Sequence, residues 1–382
     1  APPFADLSDD LLHQLRGTLL LAHNSKFDYT FLRHEFSRCR LSYAAPTLCT
    51  VQLSRRLYPQ FFKHNLDSII ERHQIAVSSR HRAMNDVLAL ADYLELTASS
   101  YGILLFVEQG SALTLPKLPP VGLRPELAEQ LNTLSDGDGA LLWLDSDGLP
   151  LYADAHTKTF REAVELLHRN PALQQAASLR FLPAVGPLHA LMLKAKLSAE
   201  HGFRPSENDV RPTNYFTVRF HPNEKGRLQA QIRPLSDGLY PDRPNGLFLH
   251  KKAAKRALDA WAREQQFCPA ELNILPPGYD RNAPCPVAAV GRCQGQCGNI
   301  GEAARQRQRI ETAARLLPVA DWGKAHQIEI CETDTLNGRR LSFHCAGGAL
   351  QMPDGSWYFD RKLPAVFKEK FRTHRNDIAV SF

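Results

Sequence analysis

The chain has 382 residues, of which 43% are hydrophobic and 23% charged, and a formal net charge of +6; that length holds two or three domains with cores of their own, in a composition ordinary for a globular protein. No stretch approaches the roughly 18 uncharged apolar residues of a membrane span, and residues 1–5 carry neither a basic n-region nor an apolar h-region, so no membrane partner and a cytoplasmic location are expected. The eight cysteines then read as reduced thiols or metal ligands rather than disulfides, and the modest positive charge permits a nucleic-acid partner.

In chain order, residues 7–16 have helical spacing, and 18–22 are a short apolar run best read as a buried strand. Helical spacing returns over 27–36, 66–73 and 83–96, which suggests an α/β unit over residues 1–100. Residues 101–122 contain the Leu115-Pro116-Lys117-Leu118-Pro119-Pro120 stretch, which cannot continue a helix and reads as a linker. A second unit, 123–240, opens with a hairpin signal, strands 140–144 and 149–153 around Asp145-Ser146-Asp147-Gly148. Helices are expected at 160–168 and 188–200, and a second hairpin at 215–220 and 228–232. Residues 241–316 hold a basic helix running to about 266 and a cysteine cluster. Within 317–382, residues 327–358 alternate as a small β unit and 367–374 form a basic tail; no internal repeat is visible.

Asn24-Ser25-Lys26-Phe27-Asp28 and, after a long gap, His81-Arg82-Ala83-Met84-Asn85-Asp86 carry the most specific chemistry. Asp28 starts a helix just after a strand, where ligands are commonly presented. Asp86 lies one turn into another helix, five residues after a loop histidine, so the two side chains can converge on one point. Two carboxylates and a histidine suit phosphodiester hydrolysis, in which carboxylate-held divalent metals clamp the attacking and leaving oxygens while the histidine takes a proton from water. Two aspartates are too few to hold a metal pair.

Ala22-His23-Asn24-x-x-Phe27-Asp28-x-x-Phe31-Leu32, the basic segment 53–59 and Arg80-His81-x-Ala83-x-x-Asp86 together resemble the DEDDh 3′–5′ exonucleases, above all those like the proofreading epsilon subunit of DNA polymerase III. The resemblance covers residues 1–97 and implies a ribonuclease-H-like fold using Mg²⁺ or Mn²⁺. It makes Asp28 and Asp86 metal-linked carboxylates, His81 the general base, and Asn24 and Phe27 walls of the nucleotide pocket. The family's first motif, Asp-x-Glu on a strand, has no counterpart here. A partial, N-terminally truncated sequence is the preferred expectation over a shortened, inactive domain, because removing central strands would leave 19–22 with unpaired backbone and an exposed apolar face. Little exonuclease activity and ready aggregation are then expected of these 382 residues.

Gly139-Ala140-Leu141-Leu142-Trp143 and Gly148-Leu149-Pro150-Leu151-Tyr152-Ala153-Asp154 resemble the GIY-YIG endonuclease core of UvrC- and Cho-type excinucleases, over about residues 123–205. The resemblance places the family's first tyrosine at Leu141, its second at Tyr152, its lysine at Ala155, its arginine at Glu162 and its metal glutamate at Lys194. A lysine repels a cation, so the expectation is a retained α/β scaffold without the endonuclease chemistry.

Cys268-x16-Cys285-x7-Cys293-x3-Cys297 lacks the short pairs of a zinc-finger knuckle, but four thiolates can close a zinc site or hold an iron–sulfur cluster. Pro284-Cys285-Pro286, Val290-Gly291-Arg292-Cys293 and the preceding Gly246-Leu247-Phe248-x-x-Lys251-Lys252 resemble the cysteine motif of UvrC-type excinucleases, which implies a [4Fe–4S] cluster, with Zn²⁺ the alternative. Cys39, Cys49, Cys331 and Cys345 read as core thiols. Arg55 and Arg56, Lys251, Lys252, Lys255 and Arg256, and the basic residues of 368–375 are expected phosphate contacts, or else a solvated face.

The combined expectation is a repair or replication exonuclease acting on single-stranded DNA or 3′ ends, fused to a GIY-YIG-like domain, a cysteine-rich helical segment and a small C-terminal α+β unit. The alternative is a DNA-binding scaffold in which both nuclease sites have decayed. A polymerase accessory role would need a partner-binding segment that the residues do not reveal.

Overall fold

The computed structural model describes residues 2–77, 82–202, 215–224, 226–274, 290–291, 303–320, 322, 327–334, 337–373 and 377–381. The chain is mixed α/β and falls into two compact units that divide after Ala184.

In the first unit, helix α1 (Phe4–Leu15) precedes strand β1 (Leu20–Ala22), helix α2 (Ser25–Arg38) and strand β2 (Thr47–Cys49). β1 and β2 pair in parallel in a two-stranded sheet, Leu20 opposite Thr47 and Ala22 opposite Cys49. Parallel neighbours need a crossover, and α2 supplies it, packing over both strands. Phe36 of α2 is buried with Leu12 of α1, Tyr43 and Ala45. Helices α3 (Thr50–Leu57), α4 (Leu66–His73), α5 (Ala83–Tyr101) and α6 (Ile103–Leu113) follow. Their core is Leu48, Leu53, Leu57, Ile69, Leu90 and Tyr93. Asn65 starts α4 by accepting the Ser68 N–H at 3.0 Å.

Two expectations need correction here. α5 continues beyond residue 96 to Tyr101, and residues 103–113, read as linker, are helical. The Ile103-Leu104-Leu105-Phe106-Val107 run has no polar face, so no helical period stands out in it.

Helix α7 (Pro125–Thr133), strands β3 (Gly139–Leu144) and β4 (Pro150–His156), helix α8 (Thr159–Arg169) and strand β5 (Ser178–Pro183) complete the unit. The hairpin forms as expected, and β3 lies between β4 and β5 in an antiparallel sheet. β5 is an addition to the expected elements. Leu127, Leu131, Leu141, Trp143, Phe160 and Val164 close the core between this sheet and the two helices.

The second unit begins with α9 (Pro187–Glu200). Strands β6 (Phe216–Pro222), β7 (Leu228–Pro234), β8 (Gly238–Tyr240) and β9 (Asn245–Phe248) lead to helices α10 (Lys251–Glu264) and α11 (Ala303–Ala313). β7, β6 and β9 form one antiparallel sheet, whose core with the two helices includes Val218, Leu228, Leu258, Trp261 and Ile310. Gln306 of α11 is buried and bonds both backbone groups of Leu228, accepting its N–H at 3.0 Å and donating to its carbonyl at 3.1 Å. This fixes the rotation of α11 against the edge of the sheet. Gln306→Ala is expected to lower stability by about 1–3 kcal/mol, because it leaves two buried backbone groups without their partner; a shift of the urea midpoint checks it.

Strands β10 (Gln327–Thr333), β11 (Arg340–Ala346), β12 (Ala349–Gln351), β13 (Trp357–Phe359) and β14 (Ile378–Ser381) join β8 in a six-stranded sheet, so the anticipated small β unit forms and recruits β8. The expected basic tail is instead an ordered helix, α12 (Leu363–Thr373), with Phe367 fully buried and the helix packed on α9. Its basic side chains mask the apolar stripe in the sequence.

Glu332 of β10 is buried and accepts the Leu188 and His189 N–H groups at 3.0 and 3.1 Å, at the start of α9. Lys370 of α12 lies 3.1 Å from the same carboxylate. Gly186 makes this possible, because a Cβ there would sit 2.5 Å from the Glu332 carboxyl carbon. Glu332→Ala strands the α9 N-terminus and a buried ammonium, and is expected to cost about 3–5 kcal/mol, read from urea unfolding.

A candidate nuclease half-site and the basic surfaces

The first unit presents its chemistry where parallel strands end. β1 and β2 both finish at the same edge, and α2 and α3 begin within three residues of them. Thr50, fully buried, ties that edge together: its Oγ1 donates to the Ala22 carbonyl at 3.3 Å and lies 3.1 Å from His23 Nδ1. His23 carries no role in the sequence reading, although it stands beside Asn24. Asn24 turns the chain into α2 with φ 76°, ψ 52°, a left-handed conformation that asparagine tolerates. Cys49, at the end of β2, is not a plain core thiol. Burial raises its pKa, but N–H groups of Gln52, Ser25, Asn24 and Val51 outweigh that and bring it below the ordinary thiol value.

Asp28 is in the first turn of α2 and Asp86 in the first turn of α5; both are half-buried. Helix starts favour a carboxylate whatever its use. Beside Asp28, Phe27 is 66% and Phe31 58% exposed, and the two rings stack with centroids 6.4 Å apart. Leu21, Val87, Leu88 and Leu104 are exposed as well. His81 lies outside the described residues. Among the described residues no three His, Cys, Asp or Glu side chains gather in a way that could hold a metal ion. Two carboxylates do not fit a two-metal centre by themselves, and no reaction step is derived through one.

The expected basic contacts divide. Arg55 is exposed, whereas Arg56 donates from Nε to Gln109 of α6. Lys251, Lys252, Lys255 and Arg256 are exposed on α10, whose buried face is formed by Ala254, Leu258, Trp261 and Ala262. Of the four clustered cysteines, Cys268 is buried shortly after α10, and Cys285, Cys293 and Cys297 lie outside the described residues.

The five positions that the expected GIY-YIG resemblance names are placed as follows. Leu141 and Ala155 are buried and apolar. The Tyr152 hydroxyl lies 3.5 Å from Asp154 Oδ2. Glu162 lies 3.0 Å from His156 Nδ1 and accepts from Thr157 and Lys158 at the start of α8. Lys194, in the second unit, is 2.7 Å from the fully buried Asp360, which also accepts the Tyr358 hydroxyl at 3.0 Å and the Lys362 N–H at 2.8 Å. Burial, more than the adjacent Asp360, pushes the Tyr358 hydroxyl well above its usual pKa, so it stays a donor.

Comparison with known proteins places two families on this architecture. Residues 1–94 match the exonuclease family and residues 215–316 the UvrC/Cho excinuclease middle domain. The second match coincides with the β6–β9, α10 and α11 core. The chain is 35% identical over 117 residues to DNA polymerase III subunit epsilon of Haemophilus influenzae, covering 29% of this chain and 44% of that protein. It is 31% identical over 120 residues to the same subunit of Rickettsia conorii, covering 29% and 52%. It is 28% identical over 95 residues to the 3′-5′ exonuclease DinG of Staphylococcus saprophyticus, covering 25% and 11%. The chain thus spans about half, or less, of the length of these relatives. No solved structure matches it.

The class defined by these findings is a fusion of nuclease-related domains. In particular, residues 1–94 are similar to exonuclease domains, among them those of polymerase III epsilon subunits and DinG, and residues 215–316 are similar to the UvrC/Cho middle domain.

Proposed function

We propose that the protein acts on DNA 3′ ends in repair or replication, and that Asp28, His81 and Asp86 belong to its hydrolytic site. The observation that carries this reading is Asp28 in the first turn of the helix leaving a parallel strand, inside the segment that matches exonucleases. Asn24 and Phe27 would border the terminal nucleotide, Asn24 through the turn it makes and Phe27 through its exposed ring. Mg²⁺ or Mn²⁺ would neutralise the scissile phosphate when bound, but Asp28 and Asp86 need further carboxylates to hold a pair. The 382 residues alone are therefore expected to release only traces of nucleotide from single-stranded DNA. The exposed Leu21, Val87, Leu88 and Leu104 should also make the chain self-associate, as concentration-dependent light scattering would register. A monodisperse monomer that trims 3′ ends rapidly overturns both statements.

The central sheet with α8 is read as a GIY-YIG-like scaffold without endonuclease chemistry, supported by buried Leu141 and Ala155 and by the Lys194–Asp360 pair. The resemblance of the four-cysteine segment to UvrC-type excinucleases implies a [4Fe–4S] cluster, with Zn²⁺ the alternative; broad absorbance near roughly 400 nm in anaerobic protein is expected, and zinc without iron would reverse the order. No helix among the described residues is long and apolar enough to cross a membrane, and the DNA-directed reading implies a cytoplasmic, nucleoid-associated protein. The α10 face would contact phosphates: neutralising Lys251, Lys252, Lys255 and Arg256 together is expected to flatten the salt dependence of DNA binding, by about 0.7 in log–log slope per contact on single strands.

A further inference from the structure

Arg305, Gln308, Arg309, Thr312 and Arg315, with Gln265 and Phe267, border an open, solvent-facing cavity of about 730 Å³ within the second unit. Arg305, Gln308, Arg309 and Thr312 stand at i, i+3, i+4 and i+7, one face of α11, while Gln306 and Ile310 face the core. Arg315 follows on the same rim. Three arginines therefore line one concavity, and among the described residues no carboxylate lines it. Arg309 is held in place: its guanidinium lies over the Phe267 ring, 5.0 Å from the centroid, and its Nη2 donates to the Gln265 carbonyl at 3.3 Å. Burial and then the charge of Arg315 lower the pKa of nearby Arg243.

We infer that this cavity is a binding site for single-stranded nucleic acid, with phosphates on Arg305 and Arg315 and a base stacked on the Arg309–Phe267 pair. Arginine suits both tasks, because its planar fork pairs phosphate oxygens and its face stacks on a base. The volume is in the range that holds a ligand of nucleotide size. Its lining shares no residue with the basic face of α10 or with Asp28 and Asp86. It rests on the reading that the chain handles DNA, but not on that reading's hydrolytic step.

The test is fluorescence anisotropy of a 5′-fluorescein-labelled oligothymidylate with the full chain, in EDTA, at KCl concentrations from about 50 to 200 mM. Combined Arg305→Gln, Arg309→Gln and Arg315→Gln should weaken binding at least about tenfold and reduce the salt slope by about 1.4, at roughly 0.7 for each of the two lost phosphate contacts. Arg309→Lys keeps the charge and loses the flat face; it should weaken binding about fivefold or more with the slope unchanged. Arg307→Gln, on the same helix but not on the cavity wall, should change affinity less than about twofold. Equal losses from Arg307→Gln and Arg309→Gln, or an unchanged slope in the triple variant, overturn the proposal. So does tripolyphosphate that displaces the oligonucleotide completely at equal charge concentration, which would reduce the cavity to a plain anion site. Because EDTA silences hydrolysis, failure of the nuclease reading shows in nucleotide release and leaves these affinities untouched.

Discussion

Lys194→Glu is expected to unfold the second unit rather than to restore an endonuclease. A glutamate, which the proposed GIY-YIG reading would put at this position, brings a carboxylate against Asp360, which is fully buried and 2.7 Å from the present ammonium. Breaking a buried pair by removing one partner costs about 3–5 kcal/mol, and a second carboxylate adds repulsion; a domain's whole stability is only about 5–15 kcal/mol. Urea unfolding followed by tryptophan fluorescence reads this well, because Trp261, Trp322 and Trp357 are in the second unit and Trp143 is in the first. The second unit's transition should move to much lower urea, and the Trp143 signal should hold. Lys194→Met should cost nearly as much, whereas Lys194→Met combined with Asp360→Asn should recover most of the loss, because it removes both charges. A stable Lys194→Glu protein that cleaves duplex DNA internally would show that position 194 retains a catalytic geometry.

The second large effect falls on the exonuclease segment. In protein expressed from its complete reading frame, with any residues encoded before Ala1, Asp28→Asn and Asp86→Asn should each lower nucleotide release by at least about 10²-fold. Losing a carboxylate that holds a metal removes several kcal/mol of charge stabilisation in the transition state. His81→Ala should cost about 10²–10⁴-fold, as expected for a general base. Stability should barely change in the two Asn variants, since both aspartates are partly exposed helix-start residues. Activity within a few-fold of the parent in both would remove these residues from the chemistry.

Much of the local structure is legible in the sequence because it rests on local signals. The hairpin at Asp145-Ser146-Asp147-Gly148 announces itself within a few residues. β5 does not: Ser178-Leu179-Arg180-Phe181-Leu182-Pro183 ends in proline and only half-buries its apolar residues, so neither alternation nor a continuous core pattern stands out. The site residues divide in the same way. Asp28 and Asp86 are recognisable from short motifs. Their helix-start positions follow from the strand and helix patterns around them. The Lys194–Asp360 pair joins residues 166 apart, and nothing local to either predicts the other. The arginine cavity is invisible in the sequence because it is assembled from one face of α11 together with Phe267, which lies well before that helix. Cys49 reads as a core filler because its lowered pKa comes from backbone N–H groups that residue type does not reveal.

The central claim is that hydrolysis at Asp28 and Asp86 proceeds from the 3′ end of DNA. The most direct measurement follows a 5′-labelled single-stranded oligonucleotide with Mn²⁺ and the protein from its complete reading frame, beside its Asp86→Asn variant. A ladder that shortens one nucleotide at a time from the 3′ end, and vanishes in the variant, is the predicted result. Internal cuts, shortening from the 5′ end, or a ladder that survives Asp86→Asn would contradict it.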